Sequence, residues 1–193
     1  MTTGGMRHSV HAPTRRLSLD PIAGWEAAVL ASIAGATGTL DERDAQIARS
    51  GFYGEYPAIL EAYVALFADA GMGLEALKRA AFIAWYGGAS APCVSAIRAL
   101  PEHAVRATVA ELERRVQRGG GDDELRWMLA WYGGQGPWVL DLYGTTSAVP
   151  DFVGDWPADA WSRARIAPAS LMNRGQLGQY WRALVAGRRL PGA

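Results

Sequence analysis

The chain has 193 residues, half of them hydrophobic, equal numbers of acidic and basic side chains, and a single cysteine, Cys93. Balanced charge gives no overall attraction to nucleic acid or to an anionic membrane, and one cysteine excludes a scaffold of internal disulfides. A chain of this length and composition is most simply one domain with one hydrophobic core.

The charges are unevenly distributed along the chain. All 19 acidic residues lie between Asp20 and Asp159, whereas 9 of the 19 basic residues lie outside that span. Arginine outnumbers lysine 18 to 1, which we interpret as the codon preference of a GC-rich bacterial genome. Residues 1–19 are predicted to form a flexible basic tail, and residues 20–193 a single α-helical domain. No apolar run has the length of a signal peptide or a membrane span, so we expect a cytoplasmic protein without a membrane partner.

Apolar residues that recur every three or four positions predict the first helices. The first begins at Asp20-Pro21, and its inward stripe is Ile22, Trp25, Val29 and Ile33. Thr39-Leu40-Asp41-Glu42 has the spacing of a capping box and predicts a polar surface helix that ends near Ser50. Pro57 opens a third helix, which Gly71 ends.

The later helices are predicted in the same way. An apolar stripe from Leu74 to Trp85 indicates a helix that Gly87-Gly88 ends, and Pro92 opens a short one that extends to Leu100. Pro101 starts an amphipathic helix, and the acidic run 122–124 precedes another. A last helix is predicted from Asn173 to Ala186, with Asn173 as its cap. No segment alternates with a period of two, so the predicted fold is all-α, with about seven to nine helices.

A five-residue phrase occurs twice, as residues 84–88 and 130–134, both reading Ala-Trp-Tyr-Gly-Gly. The copies lie 46 residues apart, and a proline and a valine follow each of them. That period falls within the 40 to 47 residues of a HEAT-type unit. The repetition is therefore consistent with either a short HEAT-like stack or a compact helical bundle in which two helices share the same end.

The two copies define a candidate pocket. Tyr86 and Tyr132 stand beside glycines at predicted helix ends, where their hydroxyl groups can reach a shared cleft. Aromatic rings with a few polar groups are typical of small-molecule sites, although such rings more often form a core. The candidate lining is Trp85, Tyr86, Trp131, Tyr132 and Trp138, with Glu61 or Asp141 as a carboxylate that burial would perturb.

A second candidate is a basic surface at the C-terminal end, formed by Arg174, Arg182, Arg188 and Arg189 with Tyr180 and Trp181 interleaved. Basic side chains with stacking aromatics favour nucleic acid or an acidic protein. The alternative is that these arginines neutralise the acidic body of the chain. The neutral total charge makes nucleic acid the weaker hypothesis.

Motifs for catalysis and metal binding are weak in this sequence. Cys93 with His103 is the sole nucleophile and base pairing to consider, and Cys93 aligns with Trp138 in the repeat, which indicates a core position. The sequence contains no histidine pair at helical spacing and no phosphate-binding glycine loop. We therefore predict neither a cofactor nor a metal, and we cannot name a reaction.

Two functional hypotheses follow from these features. The first is a non-enzymatic helical protein that acts by binding another protein, as an inhibitor, immunity protein or adaptor. The second is a helical enzyme or small-molecule-binding protein with an aromatic pocket near Tyr86 and Tyr132.

Overall fold

The computed structural model describes residues 17–136, 148–156 and 168–186, and within these ranges the chain forms helices and no strand. The prediction of an all-α fold is thus confirmed. None of the helices in the described ranges is long and apolar enough to cross a bilayer. Residues 1–16 of the predicted tail lie outside the described residues. The α-helices are α1 Leu19–Ile33, α2 Leu40–Ser50, α3 Glu55–Val64, α4 Gly73–Ala89, α5 Pro92–Ser95, α6 Glu102–Gln117, α7 Asp123–Gln135, α8 Ala148–Val153 and α9 Gly175–Val185.

Helix α4 forms the centre of the bundle. Every residue from Ala76 to Trp85 is buried, so this part of α4 has no solvent face. It packs against α3, α5, α6, α7 and α9. Helix α9 also packs against α1, so that the last helix closes onto the first. Units of an open stack contact only their neighbours, so the described helices form a closed bundle rather than a stack.

The two buried helices end one residue after the glycine pairs, whereas the prediction placed their ends at the pairs themselves. Helix α4 continues through Gly87-Gly88 to Ala89, and α7 continues through Gly133-Gly134 to Gln135. Glycine weakens a helix interior by about 1 kcal/mol relative to alanine, which tertiary contacts can outweigh. Two predicted helices are instead shorter than expected, because α3 ends at Val64 and α5 ends at Ser95.

Two helix starts follow the sequence prediction closely. Thr39 and Glu42 form a complete capping box: the Glu42 amide donates to the Thr39 hydroxyl, and Glu42 accepts from the Thr39 amide at 2.8 Å. Asp122 caps α7, since its carboxylate accepts from the Leu125 amide at 2.8 Å. Each cap satisfies amides that the first helical turn leaves without partners.

Three of the four residues predicted to point inward from α1 are buried, namely Ile22, Val29 and Ile33, and Trp25 is the exception. Trp25, predicted to point inward, is 36% exposed, and its indole N–H donates to Glu55 at 2.7 Å. Glu26 takes the inward place and is only 1% exposed. Trp25 and Glu26 both lie three or four residues from Ile22 and from Val29, so this spacing alone does not decide which of the two points inward.

The start of α9 also differs from the prediction. Asn173 adopts a left-handed backbone with φ of 57°, and the helix begins two residues later at Gly175. No side chain at the helix start provides a cap. The Gln176 amide instead donates to Glu26 of α1 at 2.9 Å, so that a carboxylate 150 residues away caps this helix.

Candidate functional site

The structure brings the aromatic residues of the two repeated phrases into one cluster. The Trp85 ring stacks on Tyr132 with centroids 4.5 Å apart, and it also contacts Tyr86 at 5.9 Å. Trp131 joins them through α9, where its indole N–H donates to the Tyr180 hydroxyl at 2.8 Å. Trp181 lies 6.1 Å from Tyr132 and 4.1 Å from Trp127. We call Phe82, Trp85, Tyr86, Trp127, Trp131, Tyr132, Tyr180 and Trp181 the aromatic cluster.

Several polar groups of the aromatic cluster are buried without partners. The indole N–H groups of Trp85, Trp127 and Trp181 and the hydroxyl of Tyr132 have no hydrogen-bond partner among the described residues. Burial raises the pKa of the Tyr132 hydroxyl well above its ordinary value, so this group remains a neutral donor. The cluster therefore combines close ring packing with four unused donors.

The other sequence-predicted pocket residues do not join this cluster. Glu61 is exposed on α3, where it lies 3.2 Å from His103 Nε2. Cys93 is buried, and its backbone carbonyl accepts from Arg43, so Cys93 and His103 do not form a pair. Trp138 and Asp141 lie outside the described residues.

The predicted basic surface is divided between the interior and solvent. Arg174 is buried and forms a bidentate pair with Glu75, with Nε at 2.7 Å from Oε1, and a further pair with Glu124. Although burial alone would lower it, these two carboxylates raise the pKa of Arg174 above its ordinary value. Arg182 is exposed, whereas Arg188 and Arg189 lie outside the described residues. Arg174 is thus an internal ion-pair partner and is unavailable to a phosphate.

Arg174 belongs to a chain of alternating charges in which Glu75 accepts from Arg79 at 2.7 Å as well as from Arg174. The only lysine of the sequence, Lys78, donates to Asp122 at 2.7 Å and also to Glu124. Buried charges require such partners, since the loss of one partner leaves an uncompensated charge. The network joins α4, α7 and the start of α9.

Glu26 is the polar residue that the sequence analysis missed. Its carboxylate accepts from the Tyr63 hydroxyl and from the Gln176 amide, with Arg79 nearby. Burial raises its pKa from 4.5 to about 7, and the two hydrogen bonds and Arg79 offset only part of this rise. A carboxylate in register with Ile22, Val29 and Ile33 was the available signal, because it interrupts an otherwise apolar helix face.

An open hollow of about 450 Å³ lies directly above Glu26, between α1 and α9. On one side it is lined by Asp20, Ala23, Gly24 and Ala27 of α1, and on the other by residues 172–175, Gln179 and Arg182. Gly175 lies over the carboxylate, where a Cβ atom would overlap with Glu26. Met172 on the rim is 52% exposed.

A second hollow, of about 280 Å³, lies at the other end of α1, where Ser32, Gly35 and Ala36 face Ile47 and Phe52. Between the two hollows the exposed side chains of α1 are small except for Trp25, whose indole N–H is bound by Glu55 of α3. The Ser32 hydroxyl donates to the Ala28 carbonyl at 2.9 Å and so requires no external partner. We call this surface the small-residue face; its exposed members are Gly24, Ala27, Ala28, Ala31, Ser32 and Gly35.

Comparison with protein-family models, with curated proteins and with solved structures finds no match. In the part of the chain that the structure describes, no group of three or more His, Cys, Asp or Glu residues is arranged to hold a metal ion. A functional proposal for this chain therefore rests on its own surfaces and buried groups.

Proposed function

We propose that the protein acts by binding another protein, through a helix of the partner that lies along the small-residue face of α1. The observation that carries this proposal is that the small-residue face of α1 has an open hollow at each end. Small side chains allow the axes of two helices to approach closely, and the hollows provide places for larger anchoring side chains.

The spacing of the hollows suits a helical partner. Gly24 lines the first hollow and Ser32 the second, and eight residues of α-helix rise by about 12 Å. Two large apolar residues seven or eight positions apart on a partner helix are separated by about 11 to 12 Å and project from the same face. Such a helix can place one anchor in each hollow.

The charges around the first hollow define the chemistry of the partner further. Asp20 lies on its α1 side and the exposed Arg182 on its α9 side. A basic group opposite Asp20 and an acidic group opposite Arg182 would fix the direction of the partner helix, since complementary charges select orientation more than affinity. Exposed Met172 adds an adaptable apolar contact at the rim.

The test is affinity capture from a lysate of the source organism, with crosslinking and four forms of the protein. Ala28→Arg places a long charged side chain in the middle of the small-residue face, and Gly24→Trp fills the first hollow. A Cβ at Gly24 meets no atom of the described residues within 4 Å, so a side chain can leave the backbone there without overlap. Ala110→Arg, at an exposed position of α6, is the matched control.

We expect a stoichiometric protein partner with the wild type and with Ala110→Arg, and its loss with both α1 variants. Equal capture by Ala28→Arg and the wild type would show that binding takes place elsewhere. Thermal melting of each variant checks that the fold is retained.

A second candidate function is the binding of a small molecule at the aromatic cluster, and the four unpartnered donors favour it. Buried donors nearly always have acceptors in folded proteins, so a ligand rich in carbonyl or carboxylate oxygens suits these groups. A thermal-shift screen of planar aromatic carbonyl compounds tests this candidate. We expect Tyr132→Phe to weaken any stabilising compound, and the absence of any shift would remove the candidate.

A further inference from the structure

The polar contacts of α9 converge on its first turn. Arg174 is held by Glu75 and Glu124, the Gln176 amide by Glu26, and the Gln176 side-chain amide by the Ser95 carbonyl at 2.7 Å. Further along the helix, Leu177 and Trp181 are buried in the core, and the Tyr180 hydroxyl accepts from Trp131. The first turn is therefore the place where a local change in charge alters the attachment of α9.

Glu26 faces titratable or charged groups from several elements. Tyr63 and Tyr56 of α3 face it, and Arg79 and Glu75 of α4 lie within electrostatic range. The Gln176 amide contributes the positive end of α9. Two buried atoms at this site, the Tyr56 hydroxyl and Gln176 Oε1, have no partner among the residues described, so the hydrogen bonds here can rearrange.

We propose that Glu26 is a proton-controlled catch beneath the α1/α9 hollow, so that residues 175–176 stay closed over the protonated carboxyl group and open when it is ionised. Ionisation of Glu26 creates a negative charge that the interior keeps away from water. Movement of the backbone above the carboxylate allows water to hydrate this charge. That backbone is Gly175, in a left-handed conformation with φ of 58°, and the hollow beside it provides room for the movement.

Opening is confined to the first turn because neighbouring contacts do not depend on Glu26. Arg174 stays anchored by two carboxylates, and Trp181 stays packed against Trp127. Helix α9 is thus expected to remain on the bundle while the Gln176 amide is released. The movement changes the α9 wall of the first hollow without unfolding the protein.

The direction of the pH effect follows from proton linkage. The closed state binds the Glu26 proton more tightly, with a pKa of about 7, whereas a hydrated carboxyl group has its ordinary value of 4.5. Closure is therefore fully favoured below pH 4.5, becomes weaker as the pH rises, and reaches its minimum above about pH 7. Between these values the closing equilibrium falls by up to about tenfold per pH unit.

Hydrogen exchange of the Gln176 amide, followed by NMR and corrected for intrinsic exchange rates, tests the catch in the intact protein. We expect its protection factor to fall by up to about tenfold per unit between pH 5 and 7, and to level off above pH 7. Glu26→Gln keeps the shape but cannot ionise, so its protection should be independent of pH. Glu61→Gln, an exposed carboxylate on α3, is the control and should keep the wild-type profile.

Protection that stays constant in the wild type, or a slope that persists in Glu26→Gln, would overturn the catch. If Glu26→Gln fails to fold, Tyr63→Phe provides an independent measurement. This variant removes a donor that stabilises the ionised form of Glu26, so the protection factor of the Gln176 amide should level off at a higher pH than in the wild type. If the protection factor levels off at the same pH, the catch is contradicted.

The effect of the catch on partner binding rests on the proposed function. Partner affinity is measured at pH 6 and pH 8 for the wild type and Glu26→Gln, and we expect a pH dependence that the variant loses. Equal pH dependence in both overturns the link between catch and partner. A partner that Ala28→Arg still binds overturns the docking proposal instead, while the exchange measurement stands by itself.

Discussion

The two Ala-Trp-Tyr-Gly-Gly segments have identical sequences but lie in different surroundings. In the first, Trp85 is 2% exposed, and Ile97 and Leu100 pack over Gly87. In the second, Trp131 is only half-buried, and a Cβ at Gly133 would meet no atom of the described residues within 4 Å. The burial of the tyrosines differs in the opposite sense, because Tyr132 of the second segment is fully buried and Tyr86 of the first is half-buried.

The difference arises from the helices that carry the segments. Helix α4 packs against five other helices. At the end of its buried stretch, Gly87 lies against Ile97 and Leu100 of the segment that follows α5. Helix α7 packs against α4 and α8 and contacts α9 through Trp127 and Trp131, and one side of its last turns faces solvent. Identical residues therefore contribute differently to stability, and equivalent substitutions in the two segments measure that difference.

The largest difference is expected for tryptophan replaced by alanine. Trp85→Ala removes a fully buried ring stacked on Tyr132 and should lower the free energy of unfolding by about 3 to 5 kcal/mol. Trp131→Ala removes a half-buried ring and its hydrogen bond to Tyr180, for a loss of about 1 to 2 kcal/mol. Urea denaturation of both variants gives the comparison. Equal losses would show that the two segments are energetically equivalent despite their different burial.

The second comparison concerns the glycines, for which the individual effects are smaller. A Cβ at Gly87 would stand 2.5 Å from Cγ2 of the buried Ile97, and overpacking of this kind typically costs about 1 to 3 kcal/mol. Gly133→Ala meets open space and should stabilise α7 by about 0.5 to 1 kcal/mol, since alanine is the better helix former. The two variants should thus shift the melting temperature in opposite directions. A stabilising Gly87→Ala would mean that Ile97 moves aside freely.

The fold class could be predicted from the sequence because it depends on local patterns. The spacing of apolar residues gave the all-α class, and the Thr39 capping box and Asp122 cap depend on groups three residues apart. Helix ends set by distant contacts could not be predicted in this way. The continuation of α4 through Gly87-Gly88 is one example, since packing with other helices outweighs the low helix propensity of glycine.

The candidate site could be predicted only in part. The sequence indicated that Trp85, Tyr86, Trp131 and Tyr132 belong together, because the repeated phrase marked them. It did not reveal Tyr180 and Trp181 as further members, which the packing of α9 brings close. Glu26 was missed because its partners, Tyr63 and Gln176, lie 37 and 150 residues away.

The smallest difference, again with opposite signs, is expected for tyrosine replaced by phenylalanine. The Tyr86 hydroxyl shares a hydrogen bond with Ser90, so Tyr86→Phe should lower the free energy of unfolding by about 0.5 to 1.5 kcal/mol. The Tyr132 hydroxyl is buried without a partner among the described residues, and its removal relieves an unpaired donor. Tyr132→Phe should therefore leave stability unchanged or raise it by up to about 1 kcal/mol. Denaturant titrations of the two variants and of the double variant separate these effects. A loss greater than about 1 kcal/mol in Tyr132→Phe would show that this hydroxyl has an acceptor in solution, and the aromatic cluster would then be a satisfied core rather than a ligand site.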